Sequence, residues 1–237
     1  MKPALSLLSC LSLAACSAAS DAPPAQDGGR SGSTRVVPSE ARVPSQSCPR
    51  VVFLGTSLTA GLGLQGSEEG YVEALDAIAD SLGLPIEAVN AGVSGETSAG
   101  GLRRLDWILR EPLDVLFLEL GANDGLRGQD PLAMRGNLVE IIERTRARYP
   151  DVRIILAGME APPNLDPIYT AAFRQVFADI AQTHDVTLVP FLLDGVAGVP
   201  ELNQDDRIHP TEDGHAIVAR TVWSYLVDVL RSDGSPS

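Results

Sequence analysis

The stretch Phe53-Leu54-Gly55-Thr56-Ser57-Leu58-Thr59-Ala60-Gly61-Leu62-Gly63 decides how the rest of the sequence is interpreted. It begins in an apolar run from Val51 to Leu54 that has the length of a short buried strand, and the run stops at a glycine followed by two hydroxyl residues. A serine at the exit of a buried strand is held by a rigid sheet and exposed by the following loop, so Ser57 is a candidate for chemistry. The stretch is not the Gly-x-Ser-x-Gly elbow of the α/β-hydrolases, because Thr59 occupies the position of the second glycine. Taken alone it favours an ordinary turn of small residues, and a functional interpretation needs the remaining motifs.

Downstream of this stretch, apolar runs of strand length alternate with amphipathic segments of helix length. Strands are predicted at 51–54, 85–90, 113–120, 152–157 and 186–189, and helices at 68–82, 131–148, 167–184 and 211–230. A further helix is predicted to start within 91–98, after a loop, and to continue through 102–109. The run 113–120 is nearly all apolar, which indicates a central strand covered on both faces. This alternation predicts a three-layer α/β/α sandwich with a five-stranded parallel sheet and right-handed crossovers.

Composition narrows the classes of protein that the sequence can encode. The chain has 237 residues, of which 44% are hydrophobic and 21% charged, and this suits one globular domain with appendages. The formal net charge is -13, Lys2 is the only lysine, and the arginines do not cluster, so no nucleic-acid partner is expected. Cysteine occurs only at Cys10, Cys16 and Cys48, which supplies neither a disulfide framework nor a Cys/His metal site.

Residues 1–15 have the features of an export signal. Lys2 gives a positive charge, and the following run of Leu, Ala and Ser is too short to span a bilayer. The sequence Leu13-Ala14-Ala15-Cys16 resembles the bacterial lipobox, which predicts that Cys16 is acylated and becomes the first mature residue. The alternative is an ordinary secretory signal with a coincidental cysteine; Leu7-Leu8-Ser9-Cys10 is a poorer match.

The remaining organisation follows from composition. Residues 16–47 are rich in Ala, Pro, Ser, Gly and Gln without hydrophobic periodicity, which predicts a flexible tether. The folded domain is predicted at 48–232 and a disordered tail at 233–237. Acyl chains on Cys16 would hold the domain at a membrane surface of the bacterial cell envelope, facing the periplasm. Ser17 is not the aspartate associated with retention in the inner membrane, so the outer membrane is the secondary prediction.

Four segments at the ends of predicted strands or at a helix start carry the distinctive residues of the domain. They are Phe53–Gly61, Asn90–Ser98, Leu118–Leu126 and Asp206–Pro210. In this order they resemble the sequence blocks of the SGNH, or GDSL-type, hydrolases, and most closely the thioesterase I, lysophospholipase and arylesterase branch. The resemblance covers about residues 50–230. It implies a flavodoxin-like fold and a serine esterase that takes a small-molecule or lipid acyl ester and needs no metal or cofactor.

The residues themselves also suit acyl transfer, which needs a nucleophile, a base, a group that orients the base, and donors for the oxyanion. Ser57 is the candidate nucleophile. Of the three histidines, His184 follows a helix and favours a capping role, and His215 lies inside the last helix, where packing or surface exposure is favoured. His209 lies in a loop before Pro210, whose ring restricts the backbone, and is the candidate base.

An aspartate and three oxyanion donors complete the predicted site. Asp206 lies three residues before the candidate base and can reach the far imidazole nitrogen; Asp205 is its competitor, and the family spacing selects Asp206. The resemblance implies that the backbone N–H groups of Ser57 and Gly95 and the side-chain amide of Asn123 form the oxyanion hole.

The sequence departs from the family pattern at Thr56, where an aspartate usually precedes the nucleophile. The leading hypothesis is a monomeric esterase acting on acyl esters or thioesters. A carbohydrate O-acetyl esterase or acyltransferase would use the same residues with a different substrate or acceptor. A catalytically silent binding protein of the envelope is the third possibility, and Thr56 is its only support.

Overall fold

Five parallel strands form one sheet in the order β2-β1-β3-β4-β5 in a computed structural model of the chain, which describes residues 48–66 and 69–232. The strands are β1 (Arg50–Gly55), β2 (Glu87–Gly92), β3 (Val115–Glu119), β4 (Arg153–Ala157) and β5 (Thr187–Val189). The predicted signal (1–15), tether (16–47) and tail (233–237), with Cys16 among them, lie outside the described residues.

Helices cover both faces of the sheet, as the three-layer prediction requires. They are α1 (Tyr71–Ser81), α2 (Ser98–Ile108), α3 (Ala122–Leu126), α4 (Pro131–Arg148), α5 (Pro167–His184) and α6 (Glu212–Arg231). Helix α1 packs against α6, while α2, α4 and α5 lie side by side. In the described residues no helix is both long and apolar enough to cross a membrane.

The bounds of α4 and α5 agree with the predicted ones because the sequence marks where both helices begin. Each starts at a proline preceded by an aspartate, and proline is tolerated in the first turn of a helix. The Asp130 carboxylate accepts the Leu132 N–H at 3.0 Å, and the Asp166 carboxylate accepts the Ile168 N–H at 2.8 Å. These bonds satisfy backbone donors that have no partner inside the helix.

Other predicted bounds agree only in part with the structure. Helix α2 begins at Ser98, within the segment 91–98 predicted as a loop and helix start, and Thr97 caps it by accepting the Gly100 N–H at 3.3 Å. Strand β2 ends at Gly92 and not at 90, since β1 pairs with it along its full length. Helix α3 occupies residues predicted as a loop, and a short 3-10 helix at Pro200–Leu202 was not predicted.

Strand β3 lies at the centre of the hydrophobic core, with all five of its residues buried. The ring of Phe117 packs against Phe53 of β1 at a centroid distance of 5.4 Å and against Tyr71 of α1 at 6.2 Å. Both faces of β3 are therefore covered, as its apolar sequence predicted. Because β1 and β3 are neighbours, this aromatic cluster also supports the strand that precedes Ser57.

We expect Phe117→Ala to lower the free energy of unfolding by about 3–5 kcal/mol, since it leaves a cavity beside two aromatic rings. Urea denaturation followed by circular dichroism measures this loss. Leu132→Ala, at a position of α4 that is 73% exposed, is the control and should change the value by less than about 0.5 kcal/mol. Equal losses in both variants would contradict the central position of β3.

Candidate active site

Ser57 lies on a tight turn immediately after β1. The Ala60 N–H donates to the Thr56 carbonyl at 2.9 Å, and the Leu62 N–H donates to the Ser57 carbonyl at 3.0 Å. The turn therefore folds back on itself directly after the strand and holds Ser57 at the carboxyl edge of the sheet. The strand order reverses between β1 and β3, and crevices at such reversals are where open α/β sheets bind ligands.

His209 connects Ser57 to Asp206 through two hydrogen bonds. Its Nε2 lies 2.8 Å from the Ser57 Oγ, and its Nδ1 lies 2.6 Å from the Asp206 Oδ2. The backbone N–H groups of Ile208 and His209 donate to the Asp206 Oδ1 at 2.9 and 3.0 Å. The structure thus brings the predicted nucleophile, base and orienting acid together, and the aspartate that contacts the imidazole is Asp206.

The environment of Asp206 keeps its carboxylate ionised. Burial acts to raise the pKa of Asp206, but the hydrogen bonds from the His209 side chain and from two backbone N–H groups outweigh it and lower the pKa to about 2. An ionised acceptor on Nδ1 fixes the tautomer in which Nε2 is free to accept the Ser57 proton, and it stabilises the imidazolium that results.

Gln204 joins the two turns that carry Ser57 and His209, and the sequence analysis missed it. Its Nε2 donates to the Leu62 carbonyl at 2.8 Å and to the Pro210 carbonyl at 2.9 Å, while its backbone N–H donates to the His209 carbonyl at 2.8 Å. A residue on the loop before α6 therefore holds the turns of Ser57 and His209 together. No motif marks this residue, because its function depends on a contact between residues 142 positions apart.

The three predicted oxyanion donors line one cavity together with His209. Within residues 48–66 and 69–232, the backbone N–H groups of Ser57 and Gly95 donate to no protein acceptor, so they are available to a ligand. The Asn123 Nδ2 donates to the Glu96 carbonyl at 3.0 Å, which leaves its second N–H free because an amide nitrogen carries two. Gly95 has φ +76°, a conformation that favours glycine.

A set of charged side chains holds the loop around Gly95, and the sequence analysis missed these residues too. Arg127 donates to the Gly95 carbonyl at 3.0 Å, and Arg104 forms an ion pair with Glu96 at 2.5 Å. The buried carboxylate of Asp124 accepts the Ser98 hydroxyl at 2.6 Å and the Ser98 N–H at 2.8 Å. Asp124 follows Asn123 directly in the third motif. That position is the only sequence feature that could have pointed to a structural role for Asp124.

The other two histidines take no part in this arrangement. His184 ends α5, where its carbonyl accepts a bond from Arg146 at 2.6 Å and its ring lies 3.7 Å from Glu143. His215 is buried in α6, where its ring stacks on that of Tyr71 and its Nδ1 accepts the Tyr71 N–H at 3.3 Å. Burial and the nearby His209 lower the pKa of His215 to about 4, which keeps it neutral. Its packing role agrees with the sequence analysis.

The cavity that contains these groups has a volume of about 1130 Å³. Its apolar lining includes Leu58, Leu62, Leu126, Met159, Pro163 and Phe191. In the part of the chain that the structure describes, no three His, Cys, Asp or Glu side chains are grouped so as to hold a metal ion. The arrangement of serine, imidazole, carboxylate and free N–H donors beside an apolar cavity is suited to acyl transfer.

Residues 53–217 match the GDSL-like lipase/acylhydrolase family. The chain belongs to this family. It is 39% identical to esterase TesA of Pseudomonas aeruginosa over 181 residues, which cover 76% of this chain and 89% of that protein. It is 33% identical to thioesterase 1/protease 1/lysophospholipase L1 of Escherichia coli K12 over 185 residues, covering 77% and 86%.

A solved structure of a relative agrees with the fold. The chain superposes with a TM-score of 0.72 on the psychrotrophic esterase EstA from Pseudoalteromonas sp. inhibited by monoethylphosphonate, at 33% identity, covering 77% of this chain and 98% of that one. This family member is therefore a carboxylic ester hydrolase with the predicted α/β/α fold.

We expect Asn123→Ala to lower kcat by about 100- to 1,000-fold with little change in KM, because an oxyanion donor acts mainly in the transition state. Steady-state hydrolysis of an aryl ester measures both constants. Arg103→Ala, an exposed position one turn into α2, is the control and should leave kcat within about twofold. An Asn123→Ala enzyme with wild-type kcat would contradict the assignment of its amide.

Proposed function

We propose that this esterase hydrolyses acyl esters or thioesters, with Ser57 as nucleophile, His209 as general base and Asp206 as the group that orients the base. The observation that carries the proposal is the hydrogen-bonded series Ser57–His209–Asp206, at 2.8 and 2.6 Å, beside a largely apolar cavity. A serine hydroxyl is activated when a base lies within hydrogen-bond distance of it and a third group orients that base, as in this series.

In the proposed mechanism, the Ser57 Oγ attacks the substrate carbonyl while His209 Nε2 takes the hydroxyl proton. The negative oxygen of the tetrahedral intermediate accepts hydrogen bonds from the N–H groups of Ser57 and Gly95 and from the Asn123 amide. His209 then donates the proton to the leaving alkoxide or thiolate, and an acyl-enzyme remains. Water, deprotonated by the same imidazole, attacks this ester and releases the carboxylic acid and Ser57.

The cavity favours a substrate with a hydrocarbon acyl group. Its volume, about 1130 Å³, lies just above the usual range for small-molecule sites, and most of its lining side chains are apolar. Burying each methylene contributes roughly 0.8 kcal/mol, so affinity should rise with chain length. An acetylated sugar would leave most of this apolar surface unused, and a silent binding protein would not require the assembled Ser57–His209 pair.

We also propose that the enzyme is a monomer anchored by acylated Cys16 at a membrane of the bacterial cell envelope, facing the periplasm. The support is the sequence Leu13-Ala14-Ala15-Cys16 and the tether-like composition of residues 16–47. Two or more acyl chains hold a protein at a membrane durably, whereas one chain binds only reversibly. An esterase placed in this way would meet lipid acyl esters at the membrane surface.

The proposed nucleophile is tested by labelling with an alkyl phosphonate and mapping the modified residue by mass spectrometry. We expect the label on Ser57, and we expect Ser57→Ala to lose both the label and ester hydrolysis. Ser94→Ala is the matched control, because Ser94 is the other serine that lines the cavity, and it should keep most of its activity. Label on Ser94, or equal losses in both variants at unchanged thermal stability, would overturn the proposal.

The anchor is tested by Cys16→Ala, with Cys10→Ala as the matched control. We expect Cys16→Ala to release the protein from the membrane fraction, since the tether has too little apolar content to bind lipid unaided. Fractionation followed by immunoblotting measures the distribution. A Cys16→Ala protein that is processed normally and stays in the membrane pellet after a carbonate wash would contradict the lipid anchor.

A further inference from the structure

A buried carboxylate lies directly beneath the turn that carries Ser57. Glu119, the last residue of β3, is fully buried and stands opposite Gly55 in the register of β1 and β3. Its Oε2 accepts the Thr56 N–H at 2.7 Å and the Thr59 hydroxyl at 2.8 Å, and its Oε1 accepts the Thr56 hydroxyl at 3.0 Å. The Thr59 hydroxyl also bonds the Tyr71 hydroxyl at 2.8 Å.

We propose that Glu119 is a positioning residue for the reaction: its carboxylate fixes the turn that carries Ser57 by accepting hydrogen bonds from Thr56 and Thr59. This proposal rests on the proposed function of Ser57. Thr56 and Thr59 lie on either side of Ser57 in the turn, so the carboxylate holds that turn from both sides. Glu119 does not line the substrate cavity and acts only through its neighbours.

The surroundings of Glu119 leave little room at Gly55 and direct donors toward its carboxylate. A Cβ at Gly55 would collide with the Thr59 hydroxyl and with the Glu119 carboxylate, so the small residue before the turn is needed for this contact. The Thr56 N–H can only donate, and hydrogen bonds to an ionised acceptor are about twice as strong as neutral ones. An unpaired carboxylate would be costly to bury, and these donors compensate for that cost.

Several charged or titratable groups lie near this carboxylate on the surrounding elements. On α1, the Tyr71 hydroxyl bonds the Thr59 hydroxyl, which in turn donates to Glu119. On α6, the His215 ring stacks on that of Tyr71. On α2, Arg104 donates to the Gly55 carbonyl at 3.4 Å. Burial raises the pKa of Glu119 to about 7, although the bonds from Thr56 and Thr59 oppose this rise. The carboxylate therefore changes its protonation within the pH range in which esterases are assayed.

The sign of the effect on stability follows from this raised pKa. An unfolded Glu loses its proton near pH 4.5, whereas folded Glu119 keeps its proton until about pH 7. The stability that the bound proton contributes is complete below about pH 4.5 and is lost as the pH rises through 7. Thermal unfolding of the wild type should therefore show a fall in melting temperature between about pH 4.5 and 7 that Glu119→Gln lacks.

The test is Glu119→Gln, which keeps the shape of the side chain but turns an NH₂ donor toward other donors. We expect kcat on an aryl ester and the rate of phosphonate labelling at Ser57 to fall at least tenfold, with KM within about threefold. A small displacement of a nucleophile can cost about a hundredfold in rate while leaving the binding cavity intact. Thr56→Val should lower kcat less, and Thr56→Ser, which restores the hydroxyl, should recover it.

Asp114→Asn is the matched control, because Asp114 lies at the opposite end of the same strand. Its carboxylate accepts the Arg50 N–H at the start of β1 at 2.7 Å, as Glu119 accepts the Thr56 N–H after the end of β1. We expect this variant to label at the wild-type rate. If Glu119→Gln also labels and turns over at the wild-type rate, or if its losses equal those of Asp114→Asn, the positioning role is wrong.

The pH profile separates positioning from simple support of the fold. When kcat of the wild type is plotted against pH, the acidic side of the profile should contain a second ionisation near pH 7. The profile of Glu119→Gln should lack this ionisation. Identical pH profiles in the two proteins would overturn the proposal.

Failure of the proposed function is distinguishable, since wild-type protein would then not label at Ser57 at all. If Glu119→Gln does not fold, the Thr56→Val and Thr56→Ser pair gives the same comparison, and equal kcat values would refute the role.

Discussion

The hydrogen bonds from Thr56 to Glu119 connect β1 and β3 at the edge where the strand order of the sheet reverses. A reversal opens a crevice because the connections on its two sides leave toward opposite faces of the sheet. The Ser57 turn forms one wall of that crevice and the segment with Asn123 forms the other. A carboxylate buried between the strands therefore ties the turn of Ser57, the proposed nucleophile, to the strand that leads to Asn123, a proposed oxyanion donor. The aromatic cluster around Phe117 lies below this contact and keeps water away from it.

The sequence was sufficient to predict the layers, the parallel sheet and the polar residues that the structure brings together around Ser57, because these features leave local signals. Apolar runs, Asp-Pro helix starts and four ordered motifs each depend on residues that are close in the chain. Gln204 and Glu119 leave no such signal. Glu119 closes an apolar run that predicts only a core strand, and its role depends on being opposite Gly55 in β1. Gln204 contacts a carbonyl on a turn that is 142 residues away. Contacts of this kind depend on how strands pair and where loops meet in the fold. A periodic pattern along the sequence carries no information about either.

Thr56 is the position at which this chain departs from the family motif, and its surroundings give a physical reason why a hydroxyl suits the site. Its side chain is buried and donates to the Glu119 carboxylate. An aspartate here would place a second carboxylate beside the first, and a like charge nearby raises the pKa of one of the two groups. The Thr56 hydroxyl donates a hydrogen bond to Glu119 without requiring that two carboxyl groups share one proton. The departure is thus matched to the carboxylate beneath it, and it gives no support to a silent protein.

Asp206 and His209 are on one turn, joined by side-chain and backbone bonds within four residues. Only the contact with Ser57 has to be closed over a long separation, of 152 residues. Asp206 and His209 thus form one preassembled unit, and only its contact with Ser57 has to be placed, whereas a triad taken from three separate loops needs two such contacts. If thermal motion moves this unit away from Ser57, the imidazole and the carboxylate leave as a pair, and under the proposed mechanism their return would restore activity without a search for the correct tautomer.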